Sequence, residues 1–163
     1  MSRLAALREL MVAAKRLYLP RNGTTFPAQL RIAAEDFHTL DHDSGRLDLD
    51  WRAPPELCTA AGELPIGPLV ALADVATSWA IMGTDRAKRP GVSVSLSLEV
   101  AREVRPGERL LVSSRPVKIG RTMGFAECSI LDAEGRVVAS GRHTKFLRMG
   151  PAWDLAFSPT LFP

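Results

Sequence analysis

The sequence predicts an α+β layer domain in which one antiparallel sheet of about six strands wraps a single long helix. Three observations lead there: an apolar stretch over 68–83, strict alternation of apolar and polar residues over 92–100, and three later strand-like runs divided by turns. The chain has 163 residues, 46% hydrophobic and 24% charged. That suits one globular domain able to bury its own core.

Residues 3–18 read as an amphipathic helix, because Leu4, Leu7, Met11, Ala14 and Tyr18 recur at steps of three and four, and Pro20 and Gly23 stop it. Its polar face holds Glu9 as well as bases, which favours a packing or oligomer-contact helix over a membrane-surface one. Extended segments follow over 29–40 and 46–52, joined as a hairpin by the turn-rich run 41–45. From Pro68, which suits a first helical turn, Leu69, Val70, Leu72, Ala73, Ala76, Trp79, Ala80, Ile81 and Met82 cover nearly the whole cylinder. The helix should therefore be buried on most sides. A membrane span is disfavoured by Asp74 at its centre, a cost of about 2.5–3.5 kcal/mol.

Val92, Val94, Leu96, Leu98 and Val100 alternate with Ser93, Ser95, Ser97 and Glu99, the pattern of a strand with one buried face. Strands are expected over 109–119, 122–131 and 136–147, with turns at Arg105-Pro106-Gly107 and Asp132–Gly135. The organisation is an N-terminal helix (1–25), a main domain (26–148) and a proline-containing strap (149–163).

There are 21 Lys and Arg against 18 Asp and Glu, a net charge of +3, which excludes a strongly basic nucleic-acid arm. The charge is uneven: 8 basic and 11 acidic residues up to Asp85, then 13 and 6 from Arg86 to Arg148. The second part can attract a small anionic ligand. Phosphate-loop, helix-turn-helix, zinc-finger and RNP signatures are missing, so no nucleic-acid partner is expected. Cys58 and Cys128 are too few for a disulfide scaffold, and no signal peptide is evident at the start, so a cytoplasmic location is expected. His38 and His42 lie too far apart along a strand to share an ion, so no metal is expected. His143, between Arg142 and Lys145, reads as part of a basic edge.

Asp74 is the leading candidate for chemistry. Burial in an apolar helix favours its protonated form and suits it to act as a base or nucleophile. Thr77 and Ser78 lie three and four residues on, and their hydroxyls are expected either to bond to that carboxylate or to share a small polar pocket with it. A structural Asp at a wet subunit seam is the other reading.

Taken in order, Gly62, Ile66-Gly67-Pro68, Leu72-Ala73-Asp74, Gly91-Val92-Ser93-Val94, Pro106-Gly107-Glu108, Gly120-Arg121-Thr122 and Gly141-Arg142-His143-Thr144-Lys145 resemble the hotdog-fold acyl-CoA thioesterases of the phenylacetate-pathway (PaaI) type. The resemblance implies a helix wrapped by a sheet, a homodimer, often a dimer of dimers, and hydrolysis of an acyl-CoA at the subunit seam without a cofactor beyond the substrate's own coenzyme A. It places the catalytic carboxylate on Asp74, the water-orienting hydroxyl on Ser93 and the oxyanion amides at Ile66 and Gly67. The family's carbonyl-polarising Asn falls on Thr59. Coenzyme A contacts fall on Val100, Arg102, Arg105, Lys118, Gly120, Arg121, Thr122 and Phe146. Where family members usually carry His-Gly-Gly, this chain has Pro65-Ile66-Gly67. Two further readings follow from that departure and from the chain ends: a non-catalytic acyl-CoA binding protein, and a structural partner in a larger assembly.

Overall fold

The computed structural model describes residues 30–147 apart from 42 and 90, together with Ala5 and Glu9, both helical. The rest of the expected N-terminal helix, His42 and the strap over 149–163 lie outside the described residues. After a 3-10 turn at Ala34–Asp36 come β1 (Phe37–Leu40) and β2 (Leu47–Arg52), then a second such turn, Pro55–Leu57. The long helix α1 (Ile66–Thr84) precedes β3 (Val92–Val100), β4 (Arg109–Ile119), β5 (Met123–Leu131) and β6 (Val137–Phe146). The strands form one antiparallel sheet in the order β1-β2-β4-β5-β6-β3.

The first strand is shorter than the expected 29–40. Asp36 Oδ2 accepts the Ala33 amide at 2.6 Å, a local bond that draws the chain into a turn before pairing can begin. In the β1–β2 hairpin, Asp41 Oδ1 accepts the amides of Asp43 and Ser44 at 2.8 and 2.7 Å, and Gly45, at φ +69°, takes the left-handed conformation that closes the turn.

Helix α1 lies across the concave face of the sheet. Leu69, Leu72, Ala76 and Ala80 pack with Leu47, Leu49, Leu110, Val112, Ile130 and Val138 in the main core. Alanines at 73, 76 and 80 let the sheet approach the helix closely, and all three are buried. Trp51 caps one end of this core and donates its indole N–H to the Leu30 carbonyl at 2.7 Å. A smaller cluster of Ile81, Ala126 and Leu147 closes the other. The helix is long and apolar enough to cross a membrane by length and composition alone, yet half of that stretch is buried within the domain.

Two expectations need correction. Helix α1 is not enclosed all round: Val70, Ala71, Asp74, Val75, Ser78 and Trp79 are only half-buried. Nor does β3 have a buried face. Among the described residues it pairs only with β6 and forms a sheet edge, and Val92, Val94 and Val100 are exposed. Alternation in the sequence marks an apolar face but does not say whether the domain's own helix covers it.

Candidate active site

Asp74 projects from the middle of α1 toward the junction of β3 and β6, with its side chain 44% exposed. The carboxylate is therefore not enclosed in the apolar helix as the sequence leads one to expect. A bulge between Ser93 and Ser95 shifts the β3 register, which allows the Ser93 hydroxyl to reach the helix. Ser93 Oγ donates to Asp74 Oδ1 at 3.0 Å.

Behind that pair sits His143, which the sequence reading placed on a basic edge. Its side chain is fully buried. On β6, residues 143 and 145 share a face because strand side chains alternate, and that face meets the helix. His143 Nε2 lies 2.9 Å from Ser93 Oγ and 3.4 Å from Asp74 Oδ1. Its Nδ1 is 2.7 Å from Thr77 Oγ1. Burial first, and the Lys145 charge second, push the imidazole down to about 4, against the pull of Asp74. It is therefore neutral at pH 7. Lys145, also buried, donates to Ser78 Oγ at 2.9 Å, and burial lowers its pKa against the opposing effect of Asp74.

Of the two expectations for Thr77 and Ser78, direct bonding to the carboxylate is not seen, and both hydroxyls instead join the polar cluster beside it. Thr77 donates to the Ala73 carbonyl at 2.6 Å and faces His143, while Ser78 accepts from Lys145. The signal for the missed pair was period two on a strand: His143 and Lys145 fall on one face, and the exposed Arg142 falls on the other.

The start of α1 provides backbone donors. Pro65 caps the helix without a side-chain hydrogen bond, Ile66 and Gly67 are exposed, and neither has a positive φ. Their amides are first-turn N–H groups without an intrahelical acceptor, at the end where the helix dipole is positive. Isoleucine in place of glycine leaves this helical geometry intact. Thr59 lies outside the helix in a tight loop, where its backbone pairs with Glu63 and Gly62 and its hydroxyl accepts the Glu63 amide at 3.4 Å.

Ile66 and Asp74 are eight residues apart on one helix, which separates them by ~12 Å at 1.5 Å per residue. Within a single chain they do not meet at one reacting atom.

The residues assigned to coenzyme A also fall into two groups. Val100, Arg102 and Arg105 sit where β3 ends, and the first two line a cleft of ≈ 260 Å³ with Leu64, Ile66 and Leu69. Arg102 is already engaged there, bridging Glu108 at 2.6 Å and Asp132 at 2.9 Å. Lys118, Gly120, Arg121, Thr122 and Phe146 cluster at the opposite end of the sheet, where Val92, Phe146 and Met123 align across β3, β6 and β5. Lys118 lines a cleft of ≈ 450 Å³ with Thr84, Arg86 and Arg89. Arg89, paired with Asp85 at 2.8 Å, donates to the carbonyls of Gly120 and Arg121 at 3.1 and 2.7 Å and so fixes that hairpin. The nine residues of β3 separate the two groups by roughly 25 Å.

A single sheet wrapped about one helix, with a polar cluster where the helix meets the edge strand, is the hotdog architecture. A family model described as "Thioesterase superfamily" matches residues 67–139. The human protein named acyl-coenzyme A thioesterase 13 is 30% identical over 104 residues, covering 63% of this chain and 74% of its own length. Two solved structures share the fold: the Escherichia coli PaaI protein, with a TM-score of 0.70 at 16% identity over 91% of this chain and 95% of its own, and a hypothetical thioesterase from Streptococcus pneumoniae with coenzyme A, with a TM-score of 0.62 at 19% identity over 70% and 87%. The chain belongs to the thioesterase superfamily.

Proposed function

We propose that two copies of this chain hydrolyse an acyl-CoA thioester in a cleft between them. The observation that carries this reading is the ~12 Å between Asp74 and the Ile66–Gly67 amides on one helix: a base and an oxyanion site that act on one carbonyl must then come from different copies. The exposed edge of β3 supports the pairing. Two such edges joined antiparallel would continue the sheet across a two-fold axis and cover Val92, Val94 and Val100. The same pairing would bring the Val100–Arg105 end of one copy toward the Lys118–Thr122 end of the other. The substrate class is supported by the name of the human relative and by the coenzyme A in the Streptococcus structure.

In this reading the thioester carbonyl oxygen points at the amides of one copy, where partial positive charge meets the developing oxyanion. Asp74 of the other copy takes a proton from a water that Ser93 helps to orient. The water's O–H bond breaks and its oxygen bonds the carbonyl carbon. The C–S bond then breaks as the tetrahedral intermediate collapses, and the proton leaves Asp74 for the coenzyme A sulfur. The products are a carboxylic acid and a free thiol, with no change of oxidation state. The basic residues Arg105, Lys118 and Arg121 would face the phosphates.

The test is release of free thiol from a panel of short, long and aromatic acyl-CoAs. Turnover above the uncatalysed rate is expected for at least one class. Tight binding across the whole panel without thiol release would instead identify a binding protein. The pairing is tested separately. Val94, 59% exposed on the β3 edge, would face the second copy, so Val94→Glu places like charges across the two-fold axis and is expected to give a monomer by sedimentation velocity. An unchanged sedimentation coefficient would place the interface elsewhere.

A further inference from the structure

The hydrogens of the polar cluster can be counted, and the count assigns a role to His143. Four contacts run in a line: Ala73 carbonyl to Thr77 at 2.6 Å, Thr77 to His143 Nδ1 at 2.7 Å, His143 Nε2 to Ser93 at 2.9 Å, and Ser93 to Asp74 Oδ1 at 3.0 Å. Each contact needs one hydrogen. With a neutral imidazole and an ionised Asp74, the chain holds three: one each on Thr77, His143 and Ser93. Resting, it is one proton short.

Where the gap lies follows from the ends. Thr77 is buried, and its Oγ1 lies 2.6 Å from the Ala73 carbonyl and 3.3 Å from the Asp74 carbonyl, both of which can only accept; with its single hydrogen placed on the nearer of the two, Thr77 accepts from His143. His143 therefore carries its hydrogen on Nδ1, and Nε2 presents a lone pair to Ser93. The Ser93 hydroxyl thus faces two acceptors, Asp74 Oδ1 and His143 Nε2, with one hydrogen to give. While Asp74 is charged, the carboxylate holds it, since a hydrogen bond to an ionised acceptor is the stronger.

We infer that His143 is a positioning residue for the base: when Asp74 takes a proton at Oδ1, the Ser93 hydrogen turns to His143 Nε2, and Ser93 Oγ accepts from the new carboxyl O–H. All four contacts are then filled, and the imidazole stays neutral throughout. Proton uptake at Asp74 completes a chain that runs from the half-exposed carboxylate to buried His143 and Thr77, instead of breaking a hydrogen bond. This rests on the hydrolase reading above, which supplies the water whose proton arrives at Asp74. The titratable groups that act on His143 are Lys145 of its own strand and Asp74 of α1, while β3 contributes Ser93. Lys145 opposes an imidazolium, which keeps the Nε2 lone pair available at neutral pH.

The experiment pairs two variants with one measurement on the unmodified protein. In His143→Asn the amide reaches only the Nδ1 position, so the acceptor for Ser93 is lost. In His143→Gln the side-chain oxygen reaches the Nε2 position. Losing the acceptor withdraws support from protonated Asp74 and leaves the carboxylate form unaffected. The acid limb of the kcat–pH profile therefore moves to lower pH in His143→Asn, kcat falls on the order of tenfold, and KM is unchanged. His143→Gln keeps the limb near its original position. Nitrogen-15 NMR of the unmodified protein is expected to show a neutral imidazole with its hydrogen on Nδ1 from pH 7 down to about pH 5. An Nε2–H tautomer, or variants that lose rate without moving the limb, would overturn the inference. If the wild-type protein turns over no acyl-CoA, the hydrolase reading fails, and the NMR tautomer still decides the hydrogen-bond assignment. The same spectrum decides it if the variants fail to fold.

Discussion

Asp74→Asn and Ile66→Pro chains, each nearly inactive alone, are expected to recover about a quarter of wild-type thioesterase turnover when co-expressed as a mixed population. The expectation follows from the proposed two-fold arrangement. Half the dimers in a random mixture are mixed, and in a mixed dimer one of the two seams joins the intact Asp74 of one chain to the intact Ile66 amide of the other. The second seam has neither. Ile66→Pro is a mild way to remove one amide hydrogen, because proline is favoured at the first position of a helix. The preceding residue, Pro65, already has φ −63° and ψ 161°, the extended conformation that a following proline prefers. Its homodimer should lose ~10²–10³-fold in kcat, the usual effect of deleting one oxyanion donor. If both groups came from the same chain, no combination of the variants would restore an intact site, and the mixture would be as inactive as its parts.

The second expected result concerns the carboxylate alone. Asp74→Asn is predicted to lower kcat by ~10²–10⁴-fold, the range associated with loss of a general base, with little change in stability. The side-chain amide can still accept the Ser93 hydrogen on its oxygen, and the position is half exposed. A thermal melt within a few degrees of wild type is therefore expected. Retention of full turnover would remove Asp74 from the chemistry and leave it a seam residue. A large drop in melting temperature would make the lost rate a folding effect.

Much of this architecture is legible in the residues themselves, for physical reasons that also mark where legibility stops. An apolar run opened by Pro68 reads as a core helix, although it does not say how much of that helix the sheet covers, and turn residues at 105–107 and 132–135 mark the connections between the later strands. Asp74 stands out because a charge within such a run needs a partner. Its partner serine is not within helical spacing but nineteen residues away on another element, brought there by a register shift that no local pattern encodes. His143 and Lys145 were harder still. Flanking bases suggest solvent, and only the strand period separates the inward pair from the outward Arg142. The two-end distribution of the basic residues likewise becomes meaningful only once β3 is seen to lie between them.

The guanidinium of Arg89, anchored by Asp85 and bonded to two carbonyls of the 120–122 turn, has a consequence for ligand entry. That turn is shaped before any guest arrives, so docking there forfeits little conformational freedom and more of the contact energy survives as affinity. In the proposed acyl-CoA reading Arg89 would thereby serve recognition as a brace, independent of whether its own charge ever touches a phosphate.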